Sequence, residues 1–221
     1  MMKALSVYSI TFLILMLFVF GLLLVYPKLE LHLLLNSYHT SIQDIFFKYY
    51  SMLAEGPLYA LALIPVFWKK VRMILFFGLC ELSGGAVLQI LKHLISMPRP
   101  SSVFENYPDI ALPVVEGVSL HSGNSFPSGH ASTFFIFCTC CALYLAYRYK
   151  REVVHNRSKK ILFGFSLLIL LVLAALGAYS RVYLSQHFLS DVCMGSVIGF
   201  VTPCLMFYFG RKKILKLKSN I

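Results

Sequence analysis

Residues 7–26 are twenty consecutive positions without a charge, and comparable apolar runs recur over 41–68, 71–95, 127–147, 161–180 and 187–209. A helix rises about 1.5 Å per residue, so roughly twenty such residues cross the ~30 Å hydrocarbon core of a bilayer. The runs therefore predict an all-α polytopic membrane bundle with six transmembrane helices, forming a single domain over 1–221. Between the first two runs, residues 28–40 set leucines on a mixed polar frame, which predicts a short helix lying at the membrane interface. Within the second, Asp44 and Lys48 form an i,i+4 pair, and Gly56-Pro57 predicts a kink. The first run is too long for a signal-peptide core and ends on Leu-Leu-Leu-Val-Tyr-Pro, without a small-residue cleavage site, so it reads as a retained anchor.

Composition agrees with the pattern. The 221 residues are 58% hydrophobic and 13% charged, against about 25% charged in a soluble domain. A net charge of +11 raises nucleic acid as a partner, but the basic residues cluster beside apolar runs and no nucleic-acid-binding motif is present. Fifteen of the twenty Lys and Arg residues fall before the first run, at the junction of the second and third (Lys69, Lys70 and Arg72), between the fourth and fifth, or after the sixth. Six crossings put all of these on one face. The positive-inside rule makes that face cytoplasmic, with both termini on it. The six cysteines lie inside apolar runs without a zinc-site spacing and read as small hydrophobic residues.

The opposite, extracytoplasmic face receives three short strings: Lys92-x6-Arg99-Pro100, Pro127-Ser128-Gly129-His130, and Ser180-Arg181-x5-His187-x3-Asp191. Ionisable groups are costly in a bilayer and mark functional sites there. A phosphate ester needs cations and N–H donors already in place around its oxygens. Lys92, Arg99 and Arg181 bring three cations to one mouth. Ser128 and Gly129 open a helix whose free N–H groups favour an anion. His187 and Asp191, four apart at the head of the sixth run, share a helical face, so the carboxylate can hold one ring nitrogen protonated and leave the other free to attack phosphorus. His130, from another helix, is placed to protonate the departing oxygen. The scheme needs no metal or other cofactor. Each part alone has a plain structural reading: a hydrogen-bonded pair, an interfacial anchor, a helix start. All three at span ends on one face favour an enzyme over a non-catalytic lipid binder or transporter.

These strings resemble the signature of the type 2 phosphatidate phosphatase superfamily, over residues 92–191 for the motifs and nearly the whole chain for the six-span pattern. The resemblance implies a membrane lipid phosphatase working through a phosphohistidine on His187, supported by Asp191 with His130 as acid. It also implies phosphate binding by Lys92, Arg99, Ser128, Gly129 and Arg181. Length and span number resemble compact bacterial lipid phosphatases of the cytoplasmic (inner) membrane, with the active site facing the periplasm or exterior. The expected substrates are lipid A phosphate first, then undecaprenyl diphosphate or phosphatidylglycerol phosphate; transfer to a lipid hydroxyl instead of water stays open.

Outside the signature, the link over 101–127 holds Glu105, Tyr107, Asp109, Glu116 and His121 and either reads the lipid head group or is a variable loop. Glu81 and Glu55, carboxylates within apolar runs, are functional candidates by default, and a structural hydrogen-bonding role within the bundle is the favoured reading. His93 points away from Lys92's face, and His32, His39 and His155 carry no signal.

Overall fold

The computed structural model describes residues 2–55, 71–152 and 157–210, and among them every regular element is helical. The helices are α1 (Met2–Val25), α2 (Lys28–Leu35), α3 (Ser41–Met52), α4 (Val71–Leu94), α5 (Pro100–Phe104), α6 (Gly129–Glu152), α7 (Arg157–Tyr183) and α8 (Leu189–Gly210). Five of them, α1, α4, α6, α7 and α8, are long and apolar enough to cross a membrane. The second expected crossing begins as α3, which gives way to a turn over 53–55; the part from the Gly56-Pro57 kink onward lies outside the described residues. The expected interfacial segment is helical as α2.

α6 is the centre of the bundle and packs against α1, α4, α7 and α8. Its sequence explains the position: small and weakly polar side chains such as Ala131, Ser132, Cys138, Thr139, Cys140 and Ala142 are buried among the other helices. Thr139 Oγ1 shares a hydrogen bond of 3.2 Å with Tyr8 of α1. The peripheral α1 exposes Ile10, Leu13, Ile14, Leu17 and Phe18, while Phe12 turns inward to stack on Phe200 of α8 at 4.1 Å.

α6 and α8 approach each other closely, and two glycines permit it. A Cβ on Gly195 would fall inside contact with the Ser128 carbonyl oxygen, and one on Gly199 would reach Phe135 Cβ at 2.6 Å. Small residues spaced four apart allow membrane helices to meet backbone to backbone. Here they draw the first turn of α8 against the first turn of α6, where Ser128 N donates to Asp191 O at 3.0 Å. Two of the three sequence strings are thereby joined through main chain.

Candidate active site

The site lies at the end of the bundle where α4, α6, α7 and α8 begin or finish, and each string reaches it through its local fold. Lys92 occupies the last turn of α4. The chain then runs to Arg99, the residue before α5, whose first position is Pro100, as suits a ring that lacks an N–H. Asn124 fastens this stretch to the approach to α6. Its Nδ2 donates to Lys92 O at 2.5 Å and Ile95 O at 2.9 Å, while its Oδ1 accepts from Met97 N and Phe126 N. Two carbonyls left open at the end of α4 are satisfied in this way.

Ser128 caps α6, its Oγ accepting from Ala131 N at 3.5 Å. A Cβ on Gly129 would meet nothing within 4 Å, so this position opens into free space. His130, in the first turn, lies within electrostatic reach of Arg181, His187 and Arg99.

The spacing between Arg181 and His187 is set by a compact reversal after α7. Gln186 N and His187 N both donate to Arg181 O, at 2.9 and 3.0 Å. Ser185 takes a left-handed backbone (φ 52°), uncommon for a residue with a side chain. Its hydroxyl donates to Pro113 O at 2.6 Å and lies 3.2 Å from Nε2 of His32 on α2. His32, given no role from sequence, is thus a buried support of this turn. Burial is also what lowers its pKa to about 4.

One expectation needs correcting. His187 does not share a helical face with Asp191, because α8 starts only at Leu189. The two meet because Asp191, in the first turn, folds back to accept from Phe188 N at 3.0 Å, the side-chain half of a capping box. That brings Asp191 Oδ2 to 3.6 Å from His187 Nδ1. Ser125, which sequence reasoning passed over, sits beside both, donating to Asp191 Oδ2 at 2.5 Å and standing 3.3 Å from His187 Nδ1. No motif flags it, since one serine in a polar stretch has no periodicity or charge to distinguish it.

His187 is 3% exposed. Burial first, then the Arg99 and Arg181 cations, lower its pKa to about 4 against the opposing pull of Asp191. The ring is neutral at pH 7, with a lone pair available. Arg99 Nη1 lies 3.5 Å from His187 Nε2 and donates to Gln186 O at 2.8 Å. Arg181 Nη1 donates to Ser51 of α3 at 2.6 Å. Both guanidiniums are buried, and among the described residues neither pairs with a carboxylate and the Nε of each has no partner. Buried donors without acceptors are costly, and two on cations, beside a neutral imidazole, form a place for an anion. Lys92 couples electrostatically to Arg99 and Asp191.

The link over 105–124 is fastened along its length to this end of the bundle. Besides Ser185 to Pro113 O, Lys48 Nζ donates to Glu116 O at 3.2 Å, Gln186 Nε2 to Ser119 O at 3.0 Å, and Ser101 Oγ to His121 O at 3.3 Å. His121 feels Arg99, Arg181 and Glu55, although burial is the first cause of its lowered pKa. The loop therefore sits beside the two arginines. Glu81 accepts from Thr133 Oγ1 at 3.3 Å within the helices, and His93 binds Gln89 O of its own helix.

The chain is similar to several known proteins. The chain is 31% identical over 145 residues to phosphatidylglycerophosphatase B of Bacillus subtilis (strain 168), covering 66% of this chain and 60% of that protein. It is 27% identical over 166 residues to lipid phosphate phosphatase delta of Arabidopsis thaliana, covering 72% of this chain but 36% of the plant protein. The match thus spans less than two thirds of either relative's length. Among solved structures, Aquifex aeolicus LpxE superposes with a TM-score of 0.60 at 23% identity, over 84% of this chain and 98% of that one. A phosphatidylglycerolphosphate phosphatase of the transmembrane PAP2 type from Bacillus subtilis gives 0.57 at 20% identity, over 96% and 98%. These two likenesses speak for the fold. The family model described as the PAP2 superfamily matches residues 73–215, well over half the chain and all three strings. The chain belongs to the PAP2 superfamily.

Proposed function

We propose that this protein is an integral membrane phosphatase that removes a terminal phosphate from a lipid at the extracytoplasmic leaflet. The observation that carries the reading is the pair of buried guanidiniums with unpartnered Nε donors, set against a neutral His187 whose Nε2 lies 3.5 Å from Arg99. A phosphate placed there takes its charge balance from Arg99, Arg181 and Lys92, and hydrogen-bond donors from the start of α6, the N–H of Gly129 and the hydroxyl of Ser128, whose own N–H is committed to Asp191 O. His187 Nε2 then attacks phosphorus as the bond to the lipid oxygen breaks, and His130 gives that oxygen its proton. In the second half, water attacks the phosphohistidine, His130 takes the water proton, and the P–N bond breaks to release phosphate. Lipid tails remain beside the exposed apolar faces of the helices while the head group enters. Phosphatidylglycerol phosphate heads the candidate substrates, because the 31%-identical relative bears that activity in its name. Lipid A phosphate and undecaprenyl diphosphate follow. Six crossings with cytoplasmic termini in one domain, and a site facing the periplasm or exterior, complete the reading.

The test is phosphate release by the purified full chain in detergent with EDTA, over those three lipids, with His187→Ala alongside. Release from one lipid, abolished in His187→Ala, is the expected result. Equal release by His187→Ala would overturn the mechanism. Loss of lipid phosphate with no free phosphate, and a new phosphorylated lipid in its place, would identify a phosphotransferase.

A further inference from the structure

Asp191 does not hold His187 directly. The 3.6 Å between His187 Nδ1 and Asp191 Oδ2 is too long for a side-chain hydrogen bond. The Ser125 hydroxyl stands beside both, 2.5 Å from the carboxylate oxygen and 3.3 Å from the ring nitrogen. A serine hydroxyl has one proton to give, and an ionised carboxylate only accepts. The proton must go to Asp191, which leaves a lone pair of Oγ for His187 Nδ1, and Nδ1 must then carry hydrogen. The other side of the ring is consistent with this. Arg99 Nη1, a donor only, stands 3.5 Å from Nε2, a neighbour that disfavours a hydrogen on Nε2.

Resting on the reading of His187 as nucleophile, we propose that Ser125 is a positioning residue that relays Asp191's hold on the imidazole. Nδ1–H donates to Ser125 Oγ, Ser125 O–H donates to Asp191 Oδ2, and the Nε2 lone pair is left facing the phosphate site. The serine is built to stay in place. It is fully buried, its N donates to Met97 O at 2.8 Å, and the preceding Asn124 ties the same stretch to the end of α4. Asp191 is fixed from its other sides by Phe188 N and by Ser190 Oγ, the latter at 3.1 Å.

The experiment uses the full chain in detergent with 15N-labelled histidine. The His187 signals are identified by their loss in His187→Ala, and Ser125→Ala and Ser125→Cys are compared with wild type. Cysteine fills the space of the serine but is a weak donor, so it separates packing from relay. Expected is an Nδ1–H tautomer in wild type that is lost or mixed in both variants. Their kcat falls about ten- to hundredfold, the usual cost of a hydrogen bond to a charged group, with KM within about twofold. Wild-type tautomer and kcat in Ser125→Ala, or full recovery in Ser125→Cys, would overturn the relay. Signals from the other histidines report whether each variant is folded, and if Ser125→Ala is not, Ser125→Cys decides. Should wild type release no phosphate from any lipid, the phosphatase reading falls, while the ring tautomer still decides what Ser125 does.

Discussion

Replacing Gly195 by alanine tests whether the meeting of α6 and α8 holds the site together. Gly195 lies one turn beyond Asp191, and its Cα faces the carbonyl of Ser128, the residue that caps α6 and donates its N–H to Asp191 O. A methyl group needs about 3.5 Å from its neighbours. A substituent at Gly199 would reach Phe135 Cβ at 2.6 Å, and at Gly195 the Ser128 oxygen is nearer still. Neither obstacle is the far end of a flexible side chain, so the helices must part by on the order of 1 Å. That movement carries Asp191 and His187 away from Ser128, Gly129 and His130. A misplacement of about 1 Å at reacting groups costs about a hundredfold in rate, and overpacking of this kind costs about 1–3 kcal/mol in stability. Gly195→Ala is therefore expected to lose roughly 99% of its phosphate release and to unfold at a temperature several degrees lower in detergent. Gly164→Ala is the control, since a Cβ there meets nothing within 4 Å, and it should retain both properties. Wild-type turnover in Gly195→Ala, or equal damage from both substitutions, would refute the reasoning.

Asn124→Ala removes an amide that serves Lys92 O, Ile95 O, Met97 N and Phe126 N. The expected cost is about 1–3 kcal/mol, read as a lower thermal midpoint together with reduced phosphate release. His32 and His187 both have folded pKa values lowered from 6.5 to about 4. Between those values the unfolded chain takes up protons that the folded chain refuses, so stability is full above pH 6.5 and falls as the pH drops toward 4. Thermal midpoints between pH 7 and pH 4 should show this decline, and it should be shallower in His32→Gln; an identical slope would exclude His32 as a contributor.

The sequence exposed the parts of this site whose cost has no other explanation. Arg99, Arg181 and His187 stand out because an apolar chain gains nothing from burying them, and their order along the strings is enough to place them at span ends. The supports were hidden for a physical reason. Apart from the Asn124 bond to nearby Phe126 N, Ser125 and Asn124 act through hydroxyl and amide groups that take their meaning from partners 27 to 66 residues away. His32 looked like one more polar residue on an interfacial helix until Ser185 met it across 153 positions. The spacing of His187 and Asp191 suggested a shared helical face, but helix periodicity cannot report that α8 starts two residues late and that the carboxylate turns back to cap it. Main-chain capping, rather than amphipathic phase, brings the two together.

The loop beside the arginines is anchored in a manner with evolutionary weight. Ser185, Lys48, Gln186 and Ser101 each end on a main-chain carbonyl of that loop, at Pro113, Glu116, Ser119 and His121. A carbonyl is present whatever residue bears it. Loop side chains can therefore be exchanged without loosening these anchors, apart from Gly117 and Gly123, whose φ of 70° and 95° favour glycine, and Asn124, whose amide is itself a fastening. The anchoring residues and the loop's outward side chains are in this sense separate modules, free to diversify at different speeds.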